Sequence, residues 1–196
     1  MAAKRCASEL DAGVLPIQGP PGSGKTYIGA RVIVDLVRQG KRVGFTAVSH
    51  AVIGHLLDEV VSATTAERFP VGIVQRVQST SNPPPAGITE MTTNDRPLAA
   101  LQGGQASVIG GTAWLWSRED YANSVDVLVV DEAGQMSLAN VLAVRASSAQ
   151  YHLAWGPAAT RPAHKRQPPT RRGRLCPRAP FGRAPDDPAR PRLIPC

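Results

Sequence analysis

One short stretch, Gly19-Pro20-Pro21-Gly22-Ser23-Gly24-Lys25-Thr26, constrains this chain more than any other. It follows an apolar run, VLPIQ at 14–18. It precedes a segment from Lys25 to Gln39 in which Ile28, Val32 and Leu36, with Ile33 and Val37, recur at i, i+4. These periods are those of a strand and then a helix, which makes the glycine-rich stretch the turn between them. Its spacing is G-x-x-x-x-G-K-[ST]. Glycines let the backbone close around an anion and aim N–H groups at it, and the helix that follows presents its positive end to the same place. In that geometry Lys25 reaches the β and γ phosphates of a nucleotide, and the Thr26 hydroxyl is a ligand for Mg²⁺. A strand, phosphate loop and helix in that order point to an α/β fold with a parallel sheet.

The rest of the first 150 residues continues the alternation. RVGFTAVS reads as a second strand, with Val43, Phe45 and Ala47 alternating, and HAVIGHLLDEVV at 50–61 reads as a helix. VGIVQRVQ at 71–78 is a third strand, and residues 79–105, with NPPPAG inside, read as a surface loop or insertion. ASVIGGT and VDVLVVDE are two further strands. The second is a nearly unbroken Val/Leu run, as a strand buried on both faces requires. Ser137 to Ala149 reads as helical.

The acidic pair Asp131-Glu132 ends that last strand, at the end of a parallel sheet where ligands bind. With the phosphate loop it suggests one shared site. Asp131 would hold Mg²⁺, usually through water, and Glu132 would take a proton from the water that attacks the γ-phosphate. A carboxylate beside the metal-binding aspartate favours hydrolysis over phosphoryl transfer to an acceptor. ATP and Mg²⁺ are the expected ligands.

Charge divides the chain. Residues 1–150 hold 12 Lys and Arg against 13 Asp and Glu, whereas residues 151–196 hold 10 against 2, together with 10 of the 18 prolines. The body is therefore nearly neutral, and the overall +7 belongs to the last 46 residues. Cys6, Cys176 and Cys196 are far apart and in no ligand spacing, which suits a reduced, cytoplasmic chain. No apolar run is long enough to span a membrane. His55 and His152 have no neighbouring ligand types.

IQGPPGSGKT at 17–26 and DEAGQ at 131–135 together resemble the superfamily 1 helicases, in the branch with a D-E-A-x-Q box. FTAVSHAVIGHLLDEV at 45–60 resembles that family's second motif, with His50 where the family usually has asparagine. VIGGTAWLW at 108–116 resembles its later nucleic-acid-contacting strand. The likeness runs from about Val14 to Gln150, interrupted by 79–105. It implies a RecA-like P-loop NTPase domain with a mostly parallel sheet flanked by helices, here the first of two such domains, the second being absent. It also implies ATP hydrolysis coupled to translocation on a single strand, with DNA favoured over RNA and no membrane partner. Lys25, Glu132 and Gln135 become the catalytic set, Gln135 ordering the nucleotide site. Thr46, Ser49 and Thr112 become contacts to strand phosphates. Trp114 and Trp116 are assigned to core packing in preference to base stacking.

In this family another buried strand follows the acidic box and ends in G-D-P-Q-Q-L. Here YHLAWGPAATRP stands in its place, a composition that predicts no central strand, an exposed sheet edge and aggregation. Back-translating Tyr151 to Pro162 and starting one nucleotide late permits the reading I-I-L-L-G-D-P-Q-Q-L-A. The expectation is therefore a partial RecA-like domain at 1–150. Residues 151–196 would be a basic, disordered tail read out of frame after an insertion or deletion near the codon for Gln150. Two other readings stay open: a nucleotide-binding remnant without catalysis, and a free-standing P-loop ATPase whose basic tail grips nucleic acid.

Overall fold

The computed structural model describes residues 13–20 and 22–156. Seven strands form one sheet in the order β1-β7-β6-β2-β5-β3-β4, and every neighbouring pair is parallel. They are β1 Gly13–Gln18, β2 Val43–Thr46, β3 Ile73–Arg76, β4 Thr89–Met91, β5 Val108–Gly110, β6 Val125–Asp131 and β7 Ser148–Gly156. The helices are α1 Lys25–Arg38, α2 His50–Ala66, α3 Asp95–Gln102, the single turn α4 Ala113–Trp116, and α5 Leu138–Val144. The α/β class with a parallel, helix-flanked sheet is thus as expected.

Alternation along the strands builds two cores. Val127 and Val129 of β6 join Val43, Phe45, α1 and α2 on one face. Leu128 and Val130 face the other way, among Ile109, Leu115, Trp116, Tyr121 and Val144. A strand whose successive side chains point to opposite faces must be apolar throughout when both faces are covered, which is why β6 reads VDVLVV. Helix α1 buries Val32, Ile33, Leu36 and Val37 as its i, i+4 pattern predicts. Ile28, expected on the same stripe, lies in the first turn and is 42% exposed.

Three expectations are corrected. Residues 79–105 are not a plain loop: TEM at 89–91 adds the edge strand β4 beside β3, and α3 follows, burying Pro97, Ala100 and Leu101. Helix α5 is shorter than 137–149 and gives way to a single 3-10 turn at 145–147. The missing central strand is also present. Ser148–Gly156 forms β7 between β6 and β1, with Tyr151 to Gly156 in register with Gly13 to Gln18, so the apolar edge beside β6 is paired and the argument for aggregation lapses. The physical reason is local. The first proline of the basic segment is Pro157, one residue beyond the strand, and Tyr151, Leu153 and Trp155 are residues that suit a pleated surface. Residues 157–196, including the rest of the expected tail, lie outside the described residues.

Where β2 begins, Arg42 is tied to β6. Its backbone N–H donates to Asp126 Oδ2 at 2.7 Å and its guanidinium to both carboxylate oxygens at 3.3 and 3.4 Å. Burial pushes the Asp126 carboxyl up, but the bonds and charge of Arg42 outweigh it, and the net position is below the usual range. A depressed carboxylate contributes stability that is complete above its unfolded pKa, near 3.9, and is lost as pH falls through the folded value. The pair is partly exposed, so the contribution is modest, about 1 kcal/mol or less. Asp126→Asn should therefore flatten the stability profile below about pH 4 in denaturant titrations. A wild-type acid limb retained in full by the variant would contradict this.

Candidate functional site

Strand β1 ends at Gln18, and the chain turns at Gly19 into the loop that opens α1. Gly22 and Gly24 take φ of 75° and 76°, the left-handed region that an L side chain adopts only with strain. Open space surrounds both, whereas a Cβ on Gly19 would come within 2.7 Å of Ser23 Oγ. The loop is a concave run of backbone ahead of a fourteen-residue helix with no acidic residue in its first turn, so its positive end is not offset there. Lys25 Nζ donates to the carbonyl oxygens of Gly19 at 2.9 Å and Pro20 at 2.7 Å, closing the ammonium over the loop. Thr26 follows in the first turn, half-buried. Pro21 lies outside the described residues. The loop amides and the lysine suit a polyphosphate, and Thr26 offers a hydroxyl in the first turn beside them.

Asp131 and Glu132 leave the same end of the sheet. In β7, Trp155 is paired with both Asp131 of β6 and Ile17 of β1, so phosphate loop and acidic pair are separated by one intervening strand, about 10 Å by ordinary strand spacing. Glu132 sits at φ 52°, ψ 35°, and its N–H donates to Asp131 Oδ1 at 2.7 Å. A non-glycine residue in this region costs on the order of 1 kcal/mol, a strain that concentrates at functional turns. Here it turns the chain from β6 into the 3-10 turn at 133–135. Gln135 closes the turn through its N–H to the Glu132 carbonyl at 2.7 Å, and its side chain is exposed beside the site. Among the described residues no group of three His, Cys, Asp or Glu could hold a metal by itself. An ion held by Asp131 and Thr26 would draw its other ligands from phosphate and water, the usual manner of Mg²⁺.

The three residues expected to touch a strand fare differently. Thr46 is corrected: β2 lies between β5 and β6, its side chain is 0% exposed, and Oγ1 has no hydrogen-bond partner. It offers no surface to a strand. Ser49 is half-buried and caps α2, its Oγ accepting from Val52 N at 3.3 Å. Thr112 precedes α4, half-exposed, with no capping bond from its hydroxyl.

The two tryptophans separate as well. Trp116 is core, as expected, its Nε1 donating to the carbonyls of Phe45 at 3.1 Å and Gly111 at 3.0 Å. Trp114 is not: it is 83% exposed, which corrects its assignment to packing. It borders a cavity of about 330 Å³ with Arg76, Asn94, Thr112 and Arg118. Arg76 was missed from sequence, although a charged residue at the carboxyl end of a buried parallel strand is itself a signal. Its Nε donates to Asn94 Oδ1 at 2.8 Å. His50 is near enough to feel its charge: the imidazole is pushed below its ordinary range by burial and then by Arg76.

A family model described as an AAA domain matches residues 2–153. Among solved structures, a nuclease-deletion mutant of the Type ISP restriction-modification enzyme LlaGI, in complex with a DNA substrate mimic, is similar with a TM-score of 0.51 and 16% identity. That likeness covers 81% of this chain and 16% of the other, and at such identity it is one of fold. No curated protein matches the sequence. No helix among the described residues is long and apolar enough to cross a membrane.

Proposed function

The chain belongs to the AAA-domain family, and from that premise we propose that it is the ATP-binding motor domain of a nucleic-acid helicase, hydrolysing ATP to move along a single strand. One observation carries the reading: a glycine cradle with its lysine and an acidic pair open at the same end of one parallel sheet, a single strand apart. A phosphate loop alone would serve any nucleotide binder. The carboxylates add a place for a metal and for a base.

In this reading the loop amides and Lys25 grip the β and γ phosphates, and Thr26 and Asp131 hold Mg²⁺, which neutralises charge on the phosphate oxygens. Glu132, aimed by its left-handed backbone, accepts the proton of the attacking water. Gln135, exposed on the turn after it, links that site to the strand-binding edge. Ser49 and Thr112 contact strand phosphates without reading sequence. A second RecA-like lobe, which the helicase resemblance implies, would supply arginines to the transition state. One such arginine is worth on the order of 10³ to 10⁵ in rate in related phosphoryl chemistry. Turnover without that lobe should accordingly be slow.

ATP turnover measured with and without single-stranded DNA or RNA tests the proposal. Strand-stimulated hydrolysis that disappears in Glu132→Gln, with Mg·ATP binding retained, is the expected result. Binding with no turnover under any condition would favour a nucleotide-binding remnant. Failure to bind Mg·ATP would remove the motor reading altogether.

A further inference from the structure

We propose that Trp114, with Arg76 beside it, forms a stacking subsite for one base of a single-stranded nucleic acid, an inference that rests on the strand-binding reading above. The sequence AWLW closes into a single turn, α4, in which Leu115 and Trp116 point inward and Trp114 outward. The inward pair makes the turn rigid. Trp116 donates to two carbonyls, and its ring meets Tyr121 edge-on at 5.6 Å and 84°. Tyr121 in turn donates its hydroxyl proton to the Asn94 carbonyl at 2.6 Å, which fastens α4 to the segment that carries Asn94. Ser117 Oγ donates to the Trp114 carbonyl at 3.3 Å. The largest exposed side chain of the described residues therefore stands on a pedestal fixed from below. A bare indole held rigidly in water gains nothing for folding. It does offer a flat π-face that loses little freedom on binding, which is what base stacking uses.

The neighbourhood decides the class of ligand. Arg118 is already engaged by Asp120, with contacts at 3.0 Å, so its charge is largely offset. Arg76 bonds through Nε to the neutral Asn94, and no carboxylate among the described residues pairs with it. A guanidinium, an exposed indole and the Thr112 hydroxyl thus border one cavity. Strand order aligns them with the rest of the edge: β2 leads to Ser49, β5 to Thr112 and β3 to Arg76, in adjacent positions of the sheet. A cation for the backbone, hydroxyls for phosphate oxygens and a ring for a base are the parts of a sequence-tolerant single-strand site.

The test compares the full chain with Trp114→Ala, Trp114→Phe and Arg76→Ala in fluorescence anisotropy. The probes are labelled oligothymidylate and an abasic strand of equal length, across a salt series. Wild type should bind the base-bearing strand more tightly. Trp114→Ala should lose about 5- to 150-fold on oligothymidylate and little on the abasic strand, removing the preference, while Trp114→Phe keeps most of it. Arg76→Ala should weaken both strands alike and reduce the salt slope by about 0.7. Trp114→Ala binding oligothymidylate as wild type does would overturn the stacking site and leave the motor reading standing. A wild-type chain that binds neither strand would overturn both, and equal wild-type affinity for the two strands would overturn the subsite alone.

Discussion

Replacing Lys25 by alanine is expected to weaken Mg·ATP binding several hundredfold, about 3–4 kcal/mol, with almost no loss of fold stability. The ammonium is held directly over the loop, with Gly19 and Pro20 carbonyls fixing it at 2.9 and 2.7 Å. In the bound state it exchanges those neutral acceptors for phosphate oxygens, and charge-assisted bonds are roughly twice as strong as neutral ones. Removing it leaves the phosphate charge to the loop amides and the metal alone. In the free protein it removes only two partly solvated bonds. The two effects separate in a thermal melt: wild type should gain about 2.7 kcal/mol of stability at 100 times its Kd, while Lys25→Ala gains almost nothing at the same concentration. Calorimetric titration then gives the ratio of affinities directly. Unchanged affinity in the variant would remove the loop as the nucleotide site.

Trp116→Ala should be the most destabilising single change, costing about 3–5 kcal/mol from a domain whose total stability is of order 5–15. The side chain is fully buried and fills the space over Gly44, where an added Cβ would come within 2.6 Å of the indole. Its truncation opens a cavity between β2 and α4, removes the edge-to-face contact with Tyr121 and leaves the Gly111 carbonyl without the donor it has now. The Phe45 carbonyl is less affected, since Gly111 N–H also donates to it. Trp116→Phe keeps most of the apolar area but loses the donor, and should cost about 1–3 kcal/mol. Denaturant midpoints check both. A loss below about 1 kcal/mol for the alanine variant would mean the turn is not anchored through this ring. Because the same ring is the pedestal of Trp114, base preference in strand binding should fall with stability in Trp116→Phe.

Much of the site was legible because it is local. The phosphate loop is a contiguous spacing between a period-two and a period-3.6 segment, and the acidic pair stands at the end of an unbroken apolar strand. The position of each relative to a strand end is enough to place them together. Residues whose role depends on what lies across the sheet were not legible. Thr46 reads as one more hydroxyl at a strand end, yet it is enclosed because β5 and β6 flank its strand and helices cover both faces. Trp114 and Trp116 are two residues apart in a four-residue turn, too short for a period to say which faces inward. The Phe45 and Gly111 carbonyls decide it.

The C-terminal strand is the sharpest case. Composition after Gln150 argued against a central strand, because the prolines and arginines of the whole segment weighed on its first six residues. Those six carry no proline, and two apolar neighbours, β1 and β6, present unpaired ladders on either side of the gap. The shifted reading I-I-L-L-G-D would occupy the same six positions. The strand forms with the residues as they stand, and the coding DNA decides whether the frame is shifted.

By itself the sequence determined the α/β alternation, the glycine loop ahead of its helix and the acidic pair at a strand end, since each is written in the spacing of neighbouring residues. Tertiary structure alone decided that β7 separates loop from carboxylates, that Thr46 is sealed and that Trp114 is exposed. Strand order and burial are set by partners distant in the chain, and no local pattern encodes them.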